Sequence, residues 1–89
     1  MKFYYTYACG KGDGPYDYWA YNIYDTFDKV CDALDIEITN WLSVNHEGET
    51  YTPPDRNAKL KELKAYYWSV QYYKFESQTF IIKRLHLAE

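Results

Sequence analysis

Four aspartates have the spacing in this sequence that points most directly to a function. Asp25, Asp28, Asp32 and Asp35 follow one another at intervals of three, four and three residues. At about 100° per residue, a helix would place them within about 80° on one side. Asp32 and Asp35 would lie toward the negative end of the helix dipole, where acidic side chains are unfavourable. We interpret this acidic stripe as a surface that binds a basic partner; the alternative is a solvated helix face.

Aromatic residues form the second unusual feature, because they make up 21% of the chain and include twelve tyrosines. A tyrosine ring offers apolar contact area while its hydroxyl stays hydrated, which suits protein interfaces. One or two short helices would cover only one face of a small sheet, so we expect the second face to be open and aromatic. The alternative is a tyrosine-rich core whose hydroxyls reach the surface. The expected interface residues are Tyr4, Tyr18, Trp19, Tyr24, Tyr72 and Tyr73.

Charge is divided unevenly along the chain. Residues 1–50 carry three basic and nine acidic side chains, whereas residues 51–89 carry seven basic and four acidic ones. Such a separation creates a field that orients encounters with a charged partner. A second hypothesis is a nucleic-acid-binding module, in which carboxyl-terminal aromatics stack on bases beside Lys74, Lys83 and Arg84. The net charge of −3 makes this the less favoured reading.

The cysteines and histidines do not resemble a metal site. Structural zinc sites use close pairs, and Cys9, Cys31, His46 and His86 are scattered. No local signature of a Cys–His nucleophile is present, so we expect neither metal, cofactor nor enzymatic activity. A Cys9–Cys31 disulfide and two free thiols both stay open. A chain with only two cysteines favours a reducing, cytoplasmic location.

Alternating residues predict the strands that would position these groups. Two are predicted near the amino terminus, at Phe3–Ala8 and Asp17–Tyr24, joined as a hairpin by the glycine-rich stretch that starts at Cys9. A further strand is predicted at Thr79–Leu87, after a turn at residues 76–78. Residues 66–75 fit either a strand or a helix.

Two segments have the pattern of helices. Residues 26–35 are predicted as a helix capped by Asp25, with an apolar stripe of helical period. The stripe consists of Phe27, Val30, Cys31 and Leu34. Residues 36–44 fit either a strand or a short helix. Arg56–Ala65 follows two prolines, is rich in good helix formers, and has Leu60 and Leu63 as core candidates.

Together these elements predict a single α+β domain over residues 1–89: a small antiparallel sheet of three to five strands with one or two helices packed on one face. The longest charge-free stretches have nine residues. A membrane-spanning helix needs about 18 or more apolar residues, so we expect a soluble protein without membrane contact.

In size, aromatic content and acidity, the chain is similar to small antagonists encoded by phages and mobile elements, anti-CRISPR proteins among them. The resemblance is one of overall profile. It implies a non-enzymatic viral protein that inhibits a larger nucleic-acid-handling complex in the host cytoplasm by binding a basic protein surface. The alternatives are the nucleic-acid-binding module and a self-associating structural subunit, with a homodimer as its simplest form.

Overall fold

The computed structural model describes residues 3–11, 18–19, 22–66 and 68–86. The elements in chain order are β1 (Phe3–Lys11), β2 (Tyr18–Trp19), α1 (Phe27–Asn45), α2 (Arg56–Tyr66), β3 (Ser69–Phe75) and β4 (Gln78–His86). The strands form one sheet in the order β2-β1-β4-β3, and every neighbouring pair is antiparallel. The predicted α+β class, with a small antiparallel sheet and two helices, is confirmed.

The centre of the sheet is the pairing of β1 with β4. It runs without interruption from Phe3↔His86 to Lys11↔Gln78. This long ladder carries β1 through Cys9 and Gly10, so the prediction that the strand ends at Ala8 is wrong. The residues before and after Gly10 pair with β4, so their backbone hydrogen bonds are formed, and this outweighs the low strand propensity of glycine.

The predicted hairpin between the first two strands is confirmed, but the second strand is shorter than expected. Trp19 pairs with Ala8, and Tyr18 with Cys9. Asn22 and Ile23 lie outside any strand. Tyr24 then forms an isolated bridge to Tyr5 through two backbone hydrogen bonds of 2.8 Å. Asp17, Ala20 and Tyr21, which also belong to the predicted strand, lie outside the described residues.

The first helix is almost twice as long as its predicted core. Thr26, rather than Asp25, is the N-cap, because its hydroxyl accepts the Lys29 N–H at 3.1 Å. The helix continues to Asn45 because Ile38 and Leu42 extend the apolar stripe and are buried. The open choice for residues 36–44 is therefore resolved as helix.

The second helix begins where it was predicted to begin. The Asp55 carboxylate accepts the Asn57 N–H at 3.0 Å, as an N-cap residue does. Leu63 is buried and Leu60 packs against the core, which confirms both expectations. Residues 66–75 are divided between the two alternatives, since α2 ends at Tyr66 and β3 begins at Ser69. The two-residue turn that follows β3 consists of Glu76 and Ser77.

Both helices pack on the same face of the sheet, where one core cluster joins α1 and Leu63 of α2 to the strands. The strand residues of this cluster are Tyr7, Cys9, Val70, Tyr72, Phe80 and Ile82. None of the described helices is long and apolar enough to cross a membrane.

The second face of the sheet differs from the predicted open aromatic surface. On the two central strands its residues include Thr6, Ala8, Thr79 and Ile81, and all four are buried. Among the described strand residues whose side chains can be placed, Tyr4 is the aromatic one on this face. The prediction is wrong because the aromatic rings of β1, β3 and β4 are mostly used to build the core under the helices.

Candidate functional site

The acidic stripe of α1 is connected to the rest of the protein through Asp35. Its Oδ1 atom accepts two hydrogen bonds, from the Tyr51 hydroxyl at 2.6 Å and from the Tyr72 hydroxyl at 2.8 Å. The Asp35 side chain is only 20% exposed. Two neutral donors on one carboxylate oxygen form a charge-assisted pair of hydrogen bonds, which is stronger than neutral bonds of the same length.

Arg56 binds three members of the stripe at once. Its Nη2 atom lies 2.6 Å from Asp32 Oδ1 and 2.9 Å from Asp35 Oδ2, and its Nη1 atom lies 3.3 Å from Asp28 Oδ1. The hydrogen bond that Arg56 donates to Asp32 is the largest of several effects that raise the pKa of the guanidinium further above its usual value. We call Asp28, Asp32, Asp35, Arg56, Tyr51 and Tyr72 the Asp35 cluster.

The Asp35 cluster explains why aspartates occupy positions that the helix itself disfavours. Arg56 is the first residue of α2, Tyr51 lies in the connection before it, and Tyr72 lies on β3. Two turns of α1, from Asp28 to Asp35, thereby contact three separate segments. Because α1 continues to Asn45, Asp32 and Asp35 lie in its first half, so the penalty expected from the negative end of the helix dipole does not apply. The remaining cost, repulsion between Asp28 and Asp32, is a few tenths of a kcal/mol and is smaller than what these hydrogen bonds contribute.

A β-bulge directs Tyr72 toward Asp35. Gln71 pairs with Ile81 and Tyr73 pairs with Phe80, so Tyr72 is an additional residue without a partner position on β4. The bulge turns Tyr72 and Tyr73 both toward the helices. Burial, followed by the hydrogen bond to Asp35, raises the pKa of both Tyr72 and Tyr51, so these hydroxyls remain donors at any physiological pH.

The structure brings three of the four predicted aspartates, Asp28, Asp32 and Asp35, together on one side of α1, while Asp25 lies just before the helix; each of the four has a basic partner. Asp25 pairs with Lys29 at 2.8 Å, and the other three share Arg56. Four carboxylates against one ammonium and one guanidinium leave a formal charge of −2. Asp28 is 80% and Asp32 67% exposed. Their role in partner binding stays a prediction.

The predicted aromatic residues do not form one surface. Tyr72 is 1% exposed, so the expectation that its ring contacts a partner is wrong: the bulge has placed it in the core. Tyr73 is half-buried and packs edge-on against Tyr51 at 5.0 Å. Tyr24 packs against the core, and Tyr4 lies on the opposite face of the sheet. For Tyr18 and Trp19 only the backbone belongs to the described part.

Sequence reasoning missed Arg56 and Tyr51. The only local signal was the position of Arg56 at the start of a helix directly after Pro53-Pro54-Asp55, and nothing there indicates a partner on α1. The three basic residues of the nucleic-acid hypothesis do not all share one face. Lys74 and Lys83 lie on the same face of the sheet, whereas Arg84, next to Lys83 in β4, points to the opposite face. The Arg84 guanidinium lies over the Phe3 ring at 4.4 Å.

The two cysteines are free thiols, which resolves the open question of a disulfide. Burial raises the pKa of each thiol to about 11, so both stay protonated and are weak nucleophiles near neutral pH. Within the described ranges, no three His, Cys, Asp or Glu side chains are grouped so that they could hold a metal ion.

No family model matches the chain, and no curated protein or solved structure is significantly similar to it.

Proposed function

We propose that this protein is a non-enzymatic, cytoplasmic protein-binding module whose acidic stripe docks on a basic surface of a larger nucleic-acid-handling complex and inhibits it. Because the sequence has an anti-CRISPR-like profile, we propose more specifically a phage protein that acts against a host defence complex.

The observation that carries the proposal is the surplus of exposed negative charge on α1. Arg56 is shared by three carboxylates, and Asp28 and Asp32 stay mostly exposed while they contact it. Because the Asp35 cluster joins this part of α1 to three other segments, the exposed carboxylates of Asp28 and Asp32 are held in place before a partner binds. Such preorganisation lowers the ordering cost of binding, and the negative field increases the association rate with a basic surface.

The structure also changes which residues should be altered to test the stripe. Asp35 supports the fold through Tyr51 and Tyr72, so a substitution there would confuse loss of binding with loss of structure. The appropriate variant is the double substitution Asp28→Asn and Asp32→Asn, which retains size and hydrogen-bonding capacity. The matched control is Glu47→Gln with Glu49→Gln, because both glutamates are exposed and lie outside the stripe.

Binding is measured by fluorescence anisotropy against a labelled peptide of twenty residues rich in lysine and arginine, and inhibition by DNA cleavage with purified CRISPR effector complexes. We expect the Asp28/Asp32 variant to lose about 5- to 10-fold in peptide affinity, since two charge contacts are removed, and the control to lose less than about 2-fold. Equal losses in the two variants would show that net charge alone, rather than the stripe, causes binding. Stronger binding to a single-stranded oligonucleotide than to the peptide would favour the nucleic-acid hypothesis instead.

A further inference from the structure

A pocket lies at the carboxyl end of α1, away from the Asp35 cluster. It has a volume of about 280 Å3 and is formed by the end of α1, the end of β1 and the turn between β3 and β4. Ligand sites for small molecules usually measure about 300–1,000 Å3. This pocket is therefore of a size that suits one side chain rather than a whole small molecule.

Aromatic rings line one side of the pocket. His46 lies between Trp41 and Phe75, with ring centroids 4.9 Å and 4.5 Å away, and the ring planes are inclined at 53° and 55°. Inclined rings of this kind form a corner rather than a flat stack. The faces of tryptophan and phenylalanine rings carry partial negative charge and attract cations.

The helix end and the turn add negative potential to the same pocket. The carboxyl terminus of α1 carries the negative end of the helix dipole, and its last turn contains no basic residue to compensate it. Glu76 lines the pocket from the β3–β4 turn. The opposing charge is Lys11, an exposed residue at the end of β1.

The backbone of Glu76 supplies an independent observation. Its φ is +54°, a region that favours glycine and that a glutamate occupies only at a cost. No other non-glycine residue in the described part of the chain has a positive φ. Two-residue hairpin turns such as Glu76-Ser77 favour a positive φ at their first position, where glycine is the usual residue. Here a glutamate occupies it, and this glutamate is the one carboxylate that lines the pocket.

We propose that this pocket accepts the guanidinium of an arginine side chain from the basic partner. The planar guanidinium would lie against the Trp41 and Phe75 rings and face the Glu76 carboxylate and the carbonyl end of α1. The identity of the partner rests on the proposed function, whereas the preference of the pocket for an arginine side chain does not. A small model compound can therefore test the pocket without the partner.

The experiment titrates the ¹⁵N-labelled protein with Nα-acetyl-arginine methylamide and, separately, with the corresponding citrulline compound, which is nearly the same shape but uncharged. Binding is followed by the amide and indole resonances in ¹H–¹⁵N correlation spectra at constant pH and ionic strength. The Trp41 indole signal is identified by its disappearance in Trp41→Phe. With the arginine compound we expect saturable chemical-shift changes at Trp41, Glu76 and Gln78, with a dissociation constant in the millimolar range. With the citrulline compound we expect none.

Two exposed residues provide variants with opposite expected signs. Glu76→Gln removes the attracting charge and should weaken arginine binding about 2- to 5-fold, as expected for exposed ion pairs. Lys11→Gln removes the repelling charge and should strengthen it by a similar factor. Both variants should give unchanged spectra away from the pocket, which shows that the fold is retained.

Three results would overturn the proposal. They are the absence of saturable shifts up to 100 mM of the arginine compound, equal binding of the citrulline compound, and a reversal of the two signs, which would show that Glu76 does not attract the guanidinium and Lys11 does not repel it. If the pocket binds arginine but the Asp28/Asp32 variant retains full peptide affinity, the pocket stands and the stripe hypothesis fails. If the Asp28/Asp32 variant loses peptide affinity and the pocket does not bind the arginine compound, the stripe hypothesis stands and the pocket proposal fails.

Discussion

The first half of α1 and its carboxyl end differ in whether their charges have partners within the protein. In the first half of the helix, the Asp35 carboxylate accepts three hydrogen bonds, from Tyr51, Tyr72 and Arg56. At the carboxyl end the last turn has no basic side chain, and a pocket lies beside it. Groups that are satisfied internally stabilise a fold, whereas groups left without compensation are available to a ligand. The comparison therefore separates Asp35, which supports the fold, from the exposed groups proposed for binding, namely Asp28, Asp32 and the pocket at the carboxyl end of α1.

The sharpest way to break this comparison is to remove Asp35. Asp35→Ala leaves the hydroxyls of Tyr51 and Tyr72 without their acceptor and the Arg56 guanidinium with fewer partners, so the free energy of unfolding should fall by about 3 kcal/mol. Urea unfolding followed by circular dichroism measures the change.

Asp32→Ala is the matched control, because Asp32 contacts the same guanidinium but is mostly exposed. It should lower the free energy of unfolding by less than about 1 kcal/mol. Equal losses of unfolding free energy for the two substitutions would mean that the hydrogen bonds from Tyr51 and Tyr72 to Asp35 add no stability beyond that of a surface ion pair.

A second test uses the buried thiols, one of which, Cys31, lies on the Asp35 side of α1. The folded pKa of Cys9 and of Cys31 is raised from 9.0 to about 11, so the folded state keeps a proton that the unfolded state loses. Stability is thus fully present below pH 9 and falls as the pH rises from 9 toward 11. At pH 10 we expect a loss of roughly 1 kcal/mol for each thiol, relative to pH 7.

Urea unfolding at pH 7, 9 and 10 measures this dependence. Cys31→Ala should remove about one third of it, because Tyr51 and Tyr72, whose hydroxyl pKa values are also raised by folding, contribute over the same pH range. The slope of stability against pH is compared, because the substitution also lowers stability at every pH by leaving a small cavity. A free energy of unfolding that stays constant up to pH 10 would contradict the assignment of raised thiol pKa values.

Arg56→Gln should lower the free energy of unfolding by about 1 kcal/mol, because it removes a half-exposed ion pair to three carboxylates. The loss should become smaller at high salt, since the contacts with Asp28 and Asp32 are screened. Lys59→Gln removes an i, i+3 pair with Glu62 and should have an effect below about 0.5 kcal/mol. A loss for Arg56→Gln no larger than this control would show that the guanidinium does not hold α2 to α1.

The smallest expected effect concerns Glu76, in the β3–β4 turn beside the carboxyl end of α1, and has the opposite sign. Glu76→Gly should raise the free energy of unfolding by about 0.5 kcal/mol, because glycine adopts a positive φ without strain and this outweighs its greater freedom in the unfolded chain. Thermal unfolding of Glu76→Gly beside Glu76→Gln separates the backbone contribution from the charge. A less stable glycine variant would show that Glu76 contributes to the fold and not only to the pocket.

Much of the fold was predictable because its signals are local. The helical stripe from Phe27 to Leu34, the proline-marked start of α2 and the alternation of β1 each depend on residues within one or two turns of one another. The errors occurred where a distant element outweighed a local signal. β1 continues through Gly10 because β4 pairs with it, and α1 continues past Asp35 because the core accepts Ile38 and Leu42.

The candidate site was predicted only in part, for the same reason. The spacing of the aspartates placed Asp28, Asp32 and Asp35 correctly on one helix face, but it could not show that Arg56 would bind all three. Tyr72 was expected at a surface because aromatic alternation does not reveal a bulge, and the bulge turned it into the core.

By itself, the sequence determined the α+β class, where both helices begin and the common face of Asp28, Asp32 and Asp35, since periodicity and capping act over a few residues. Only the tertiary structure decided what Asp35 binds, because Tyr51, Arg56 and Tyr72 lie 16, 21 and 37 residues away along the chain. It also decided that the aromatic residues mainly build the core. Contacts over such separations depend on how the sheet and helices pack together, and no local pattern of residues specifies that packing.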